Sequence, residues 1–158
     1  MKKEKKQEFT LRITRANKTQ MVVILYDMVL TYLEDAMEAF EKNSHKEYRW
    51  NIDRAKECID ELLNSLHMEY EIAGILKGLY FFYKRELTTA AVRMKKEMVL
   101  SVMQMIKELK ESYEQVSAQD TSAPIMENAQ TVYAGLTYGK TSLNVNLSDQ
   151  GTNRGFCV

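Results

Sequence analysis

The sequence predicts an all-α protein: an antiparallel up-down four-helix bundle with an irregular C-terminal extension. Three observations carry that expectation. From about Asn17 to Ala118, large apolar residues recur at spacings of three and four, the signature of one buried helix face. The same stretch is rich in helix formers and lacks proline, for Pro124 is the only one in the chain. Four of the six glycines (Gly135, Gly139, Gly151, Gly155) follow it, in a region dominated by Asn, Ser, Thr and Gly. The chain therefore divides into a helical domain, residues 1-118, and a partly ordered extension, residues 119-158.

Four helices are legible in the first part. The first, about Asn17 to Lys42, carries Met21, Leu25, Met28, Tyr32, Ala36 and Ala39 on one seam. Val22, Val29, Leu33, Met37 and Phe40 form a second seam beside it, so more than half the circumference is apolar. Asn17 with Gln20 can cap its start, and Ser44 with Glu47 reads as a capping box for the next helix. That second helix, about His45 to Leu66, repeats Ile52, Ala55, Ile59, Leu62 and Leu66, with charges on its back. The third runs from about Tyr70 to Ala91. The fourth, about Met94 to Val116, carries Met94, Met98, Val102, Met105, Leu109, Tyr113 and Val116. Joined, the last two would make a helix of about 47 residues and ~70 Å. A compact domain cannot hold that length without a sustained heptad seam, so a turn belongs near Arg93. Short connections then favour antiparallel neighbours.

The third helix holds more large apolar groups than one stripe can absorb. A core-facing helix needs roughly three apolar positions in seven. Ile72, Ile75, Leu76, Leu79, Phe82, Tyr83 and Leu87 supply that stripe, and Tyr80 and Phe81 remain on a neighbouring face. Surplus apolar surface of this kind points to a protein partner. Four methionines on the fourth helix (Met94, Met98, Met103, Met105) add deformable surface.

Composition excludes much else. Twenty-two basic and 22 acidic side chains cancel, so the overall field does not recruit nucleic acid. Lys2, Lys3, Lys5 and Lys6, diluted by Glu4 and Glu8, read as a solvated, frayed terminus. Cys58 and Cys157 lie too far apart in sequence to suggest a disulfide framework. The longest apolar run, Met21 to Leu30, is interrupted by Asp27 and too short to span a bilayer, so no membrane insertion is expected. His45 and His67 are the only histidines, and neither follows a Glu at the spacing that di-iron bundles use. There is no glycine-rich phosphate loop. Neither a catalytic residue, a metal site nor a cofactor is expected.

Four blocks in register resemble a known family. They are Ile24-Leu25-Tyr26-Asp27; Arg54-Ala55-x-x-x-Ile59-x-Glu61-Leu62-x-x-Ser65-Leu66; Met68-Glu69-Tyr70-Glu71-Ile72-Ala73 with Leu76-x-x-Leu79-Tyr80-x-x-Tyr83-x-x-x-Leu87; and Ile106-x-x-Leu109-Lys110-Glu111-Ser112-Tyr113. Together, over about residues 10 to 117, they resemble the flagellin-specific export chaperones of the FliS family. The chain departs from the family pattern at Thr14-Arg15-Ala16-Asn17, at His67, at Tyr113 and at Met28-Val29.

The resemblance implies a cytoplasmic chaperone that binds the disordered C-terminal segment of flagellin in apolar grooves. It also implies prevention of premature polymerisation and delivery to a component of the flagellar export gate. Leu25, Met28, Tyr32, Leu76, Leu79, Tyr80 and Tyr83 are the candidate groove residues. An alternative reading is a structural module that forms a homodimer through its excess apolar face. The tail is too apolar for a plain linker: Val132, Tyr133, Leu136 and Tyr138 precede Leu143, Val145 and Leu147, which alternate with polar residues. Tyr133, Leu136, Tyr138 and Leu143 are therefore candidates for a segment that covers the groove, docks another partner or completes the fold.

Overall fold

The computed structural model describes residues 1–126 and contains five α-helices among them. They are α1 (Lys3–Arg15), α2 (Lys18–Glu41), α3 (His45–Asn64), α4 (Glu71–Arg93) and α5 (Lys96–Gln119). Helices α2 to α5 form the expected bundle. Each packs on its neighbour in the chain, and α5 closes the ring against α2. The α1 helix is an addition that lies on α2.

The helix ends explain the boundaries. Asn17 accepts from the Gln20 amide at 2.8 Å, and the Gln20 side chain accepts from the Asn17 amide at 3.0 Å, completing the expected capping box. The box expected at Ser44 does not form. Asn43 takes a left-handed conformation (φ 55°), and the Ser44 amide then donates back to the Ala39 carbonyl at 2.9 Å. That C-terminal closure of α2 sets Ser44 at ψ 77°, away from the extended geometry of a capping residue. The break between α4 and α5 falls where expected, with Met94 left-handed at φ 53° and the Lys95 amide on the Ala90 carbonyl at 3.2 Å. No glycine announces this turn, because a methionine accepts the strained conformation.

The core is contributed by all four bundle helices. Tyr26, Val29, Leu33 and Ala36 of α2 meet Tyr48, Ile52, Ile59 and Leu62 of α3, with Tyr80, Tyr83 and Leu87 of α4 and Val99, Val102 and Ile106 of α5. Two expectations are corrected here. The first is the N-terminal stretch, which is not a frayed end. The Lys3–Arg15 segment is helical, and Phe9 is buried in a small satellite cluster with Ala16 and Ile24. The lysines stay solvated, and the driving force is the single aromatic plus Ile13 beneath them. The second correction is the phase of α4. Its buried stripe is Ala73, Leu76, Tyr80, Tyr83, Leu87 and Ala90. Ile72 and Ile75, expected inside, are 58 % and 65 % exposed, whereas Tyr80, expected on a neighbouring face, is 1 % exposed. The two stripes share Leu76, Tyr83 and Leu87, and a rotation of roughly 60° separates their centres. The smaller Ala73 and Ala90 let α4 approach its neighbours, and the Tyr80 hydroxyl finds a buried partner.

Candidate functional site

A furrow opens at the end of the bundle where α2 begins and α5 finishes. Met21, Val22 and Leu25 of α2 form one wall, and Ile72, Ala73, Leu76 and Tyr80 of α4 form the other. Leu66, His67 and Tyr70 from the α3–α4 connection close one end, and Tyr113 and Val116 of α5 line the remainder. Its volume, about 820 Å³, lies in the range of ligand-binding clefts. The lining is apolar except for Lys18, Thr19, Asn64, Ser65 and His67. Tyr70, Ile72 and Val116 are each more than half exposed at the rim.

Tyr80 and Tyr113 line the floor, with Tyr26 fully buried behind them. The Tyr26 and Tyr80 hydroxyls share a hydrogen bond of 2.5 Å, and Tyr113 sets its ring edge-on to Tyr26 with centroids 5.6 Å apart. Because the two hydroxyls satisfy each other, the floor can offer ring carbon without an orphaned polar group. Burial pushes the Tyr80 phenol up to about 12 and the Tyr26 phenol higher still. The floor therefore stays neutral throughout the physiological range.

A strap borders the furrow. Beyond α5, the Asp120 carboxylate accepts from the Thr19 hydroxyl and from the Ser122 amide, the latter at 2.9 Å. The Asn17 side chain donates to the Asp120 carbonyl at 3.2 Å, and the Ile125 amide donates to the Ala16 carbonyl at 2.9 Å. These bonds hold Ile125 against the furrow. The Thr19 bond, then those from Ser122, hold the Asp120 carboxyl below its usual range.

A second cleft, on the α1 side, has a different character. Asp27 accepts from Arg12 at 2.6 Å and from Lys110 at 2.8 Å, so one carboxylate ties α1, α2 and α5 together. The bond to Asp27 is the main reason the Lys110 ammonium is held above its usual range. Lys5, Glu8, Glu34, Lys107, Glu111 and Glu114 supply the other charges of the lining, with Phe9, Leu30 and Thr31 between them. Its mixed charges are mutually compensated and suit a structural latch better than a pocket for an apolar chain.

Of the residues singled out from the sequence, Leu25, Leu76 and Tyr80 are brought together in the furrow. The other four stand elsewhere. Met28 packs partly buried between the main core and the α1 cluster. Tyr32 is buried with its ring edge toward Trp50 at 6.3 Å. Leu79 packs partly buried on the core, and Tyr83 is buried between Tyr80 and Phe82. Sequence reasoning missed Met21, Val22, Leu66, Tyr70, Val116 and Ile125. Met21, Val22, Leu66 and Val116 belong to apolar repeats, whose period does not tell a groove wall from a core contact, and Tyr70 and Ile125 stand in connections, where periodicity carries no information. Tyr133, Leu136, Tyr138 and Leu143 lie outside the described residues.

Among the described residues no group of His, Cys, Asp and Glu could hold a metal ion, and no helix is long and apolar enough to cross a membrane. His45 and His67 are exposed, and Cys58 is buried with its thiol pushed up to about 11 by that burial. The family model described as "Flagellar protein FliS" matches residues 1–120. The chain belongs to the FliS family. No protein with a curated description matches it. FliS-family proteins are flagellar export chaperones, not a known enzyme family, and the general role of this chain is that of a chaperone with a client protein. The match begins at the first residue, so α1, absent from the sequence-based expectation, lies within the FliS region.

Proposed function

We propose that the furrow binds the C-terminal segment of flagellin, which folds onto it as an amphipathic helix. The supporting observation is an apolar cleft with a neutral tyrosine floor and an exposed apolar rim in a FliS-family chain. Seating a helix there covers Tyr70, Ile72 and Val116, residues that water now reaches. Each large side chain fully removed from water contributes about 1.5–3 kcal/mol. Ordering the segment and losing translational freedom take back several kcal/mol, so the net is a submicromolar, reversible complex. Reversibility suits a carrier: the segment is kept from polymerising in the cytoplasm and then released to the export gate.

Titration calorimetry with a flagellin C-terminal peptide tests the reading. The expected result is 1:1 binding with a negative heat-capacity change. Ile72→Asp and Val116→Asp, both at the rim, should each weaken binding by about tenfold or more while far-ultraviolet circular dichroism stays unchanged. Absence of heat with the folded protein, or full affinity in both variants, would refute the assignment of the furrow.

A further inference from the structure

The stretch that follows α5, Asp120 to Met126, lies almost entirely beyond the family match, which ends at residue 120. The bonds that tie it down come from Ala16, Asn17 and Thr19, the residues that close α1 and open α2. Asn17 is the hub, at 2 % exposure. Its Oδ1 accepts from the Gln20 amide, while its Nδ2 donates to the Asp120 carbonyl at 3.2 Å and to the Ser122 carbonyl at 3.5 Å. The residue that starts α2 thus also fixes the direction in which the chain leaves α5.

That anchoring delivers one apolar side chain. The Ile125 amide is held on the Ala16 carbonyl, and Ile125 lines the furrow with Met21, Val22 and Val116. It remains 49 % exposed, so it narrows the furrow without filling it. Its backbone is fixed from the polar α1–α2 junction, and about half of its surface stays open to whatever enters. Because hydrogen bonds order the strap before any cargo arrives, a contact with Ile125 carries little ordering entropy at the moment of binding.

We infer that Ile125 is a specificity-determining residue that touches the cargo, and that the bonds among Asn17, Thr19 and Asp120 position it. The inference rests on the furrow being the cargo site and adds to it a wall that tells one segment from another. The isoleucine side chain has neither a hydrogen-bond donor nor an acceptor. At this end of the furrow it favours a segment that presents a large aliphatic or aromatic residue. A polar or charged residue there is penalised, because its hydration is stripped and not replaced. The Thr19 hydroxyl, which also lines the furrow, has its proton committed to Asp120 and does not offer it to a polar cargo side chain.

The test is titration calorimetry of the full chain with the flagellin C-terminal peptide and with versions of it in which one apolar residue at a time is replaced by serine. Ile125→Ser should weaken the parent peptide by about tenfold, and Ile125→Leu should stay within about twofold of the parent chain. In the Ile125→Ser protein one particular peptide replacement should lose its effect, because a double-mutant cycle reports coupling between side chains in contact. Asp120→Ala, outside the furrow lining, should weaken binding by about threefold by loosening the strap, and should add nothing to Ile125→Ser. Far-ultraviolet circular dichroism should be unchanged in every variant. No heat with the parent chain overturns the furrow assignment and this inference together. Binding by the parent with equal affinity in Ile125→Ser, or losses additive with every peptide replacement, overturns this inference alone and leaves the furrow assignment standing. Tighter binding by Ile125→Ser would make the strap a competitor of cargo and would overturn it as well.

Discussion

Helices α2 and α4 both carry more apolar surface than a single stripe, yet only one of them buries it. Three neighbours pack closely on α2 (α1, α3 and α5), whereas α4 packs closely on α3 and α5 and meets α2 chiefly through the Tyr26–Tyr80 pair. The α2 surplus is thus covered from several directions: Leu33 and Val29 inside the bundle, Ile24 under α1. The α4 surplus has no further helix to receive it, and Ile72, Ile75 and Phe81 face solvent. The comparison shows that apolar excess becomes core or binding surface according to how many partners surround it, a property of the assembly and not of the helix. The α4 surplus is also divided. Ile72 lines the furrow and Ile75, one turn further along the same side of α4, stands outside it.

The sharpest way to break the comparison is to exchange equal insults between the two helices. Leu33→Ala removes a fully buried α2 side chain and should destabilise the fold by about 3 kcal/mol. Ile75→Asp on α4, a chemically harsher change at an exposed site, should stay within about 0.5 kcal/mol of the parent. Urea unfolding of the two variants decides this, and a large loss in Ile75→Asp would mean that α4 hides its surplus after all.

An intermediate effect is expected where the two helices meet through their hydroxyls. Tyr80→Phe leaves the buried Tyr26 hydroxyl without its partner and should cost about 1–2 kcal/mol. Removing both hydroxyls (Tyr26→Phe with Tyr80→Phe) should recover part of that cost, because no polar atom is then left unpaired. Strict additivity in the denaturation midpoints would show that the pair is not coupled.

The smallest effect concerns the strap at the furrow. Asp120 has a carboxyl held below its usual range by Thr19 and Ser122. A carboxyl lowered in the folded state stabilises above its ordinary pKa, and that contribution fades as pH falls through the lowered value. Protection of the Ile125 amide against hydrogen exchange should accordingly decline on acidification through the carboxylate range. Asp120→Asn should reduce it at neutral pH and remove its dependence on acidification. Protection that is independent of pH in the parent would separate Asp120 from the strap.

Much of the bundle was legible because its signals are local. The Asn17–Gln20 box, the repeat of α3 and the reversal after Arg93 follow from residue spacing and helix length. The α1 helix was not, since one buried phenylalanine among lysines makes no periodic pattern. Nor was the Ser44 geometry, which depends on how the preceding helix closes. At the site the sequence pointed to Leu25, Leu76 and Tyr80 but also to Tyr32 and Tyr83, which do not line the furrow. Nothing in a single helix distinguishes these, for two overlapping apolar stripes have the same period.

The sequence by itself determined that this chain would be helical, where its long helices run, and that it carries apolar surface beyond the needs of one stripe. Those properties are set by contacts between residues three and four apart, which exist before any helix meets another. Only the tertiary structure decided which stripe turned inward. That choice depends on the joint packing of four helices and on a hydroxyl pair contributed by Tyr26 and Tyr80, residues 54 positions apart.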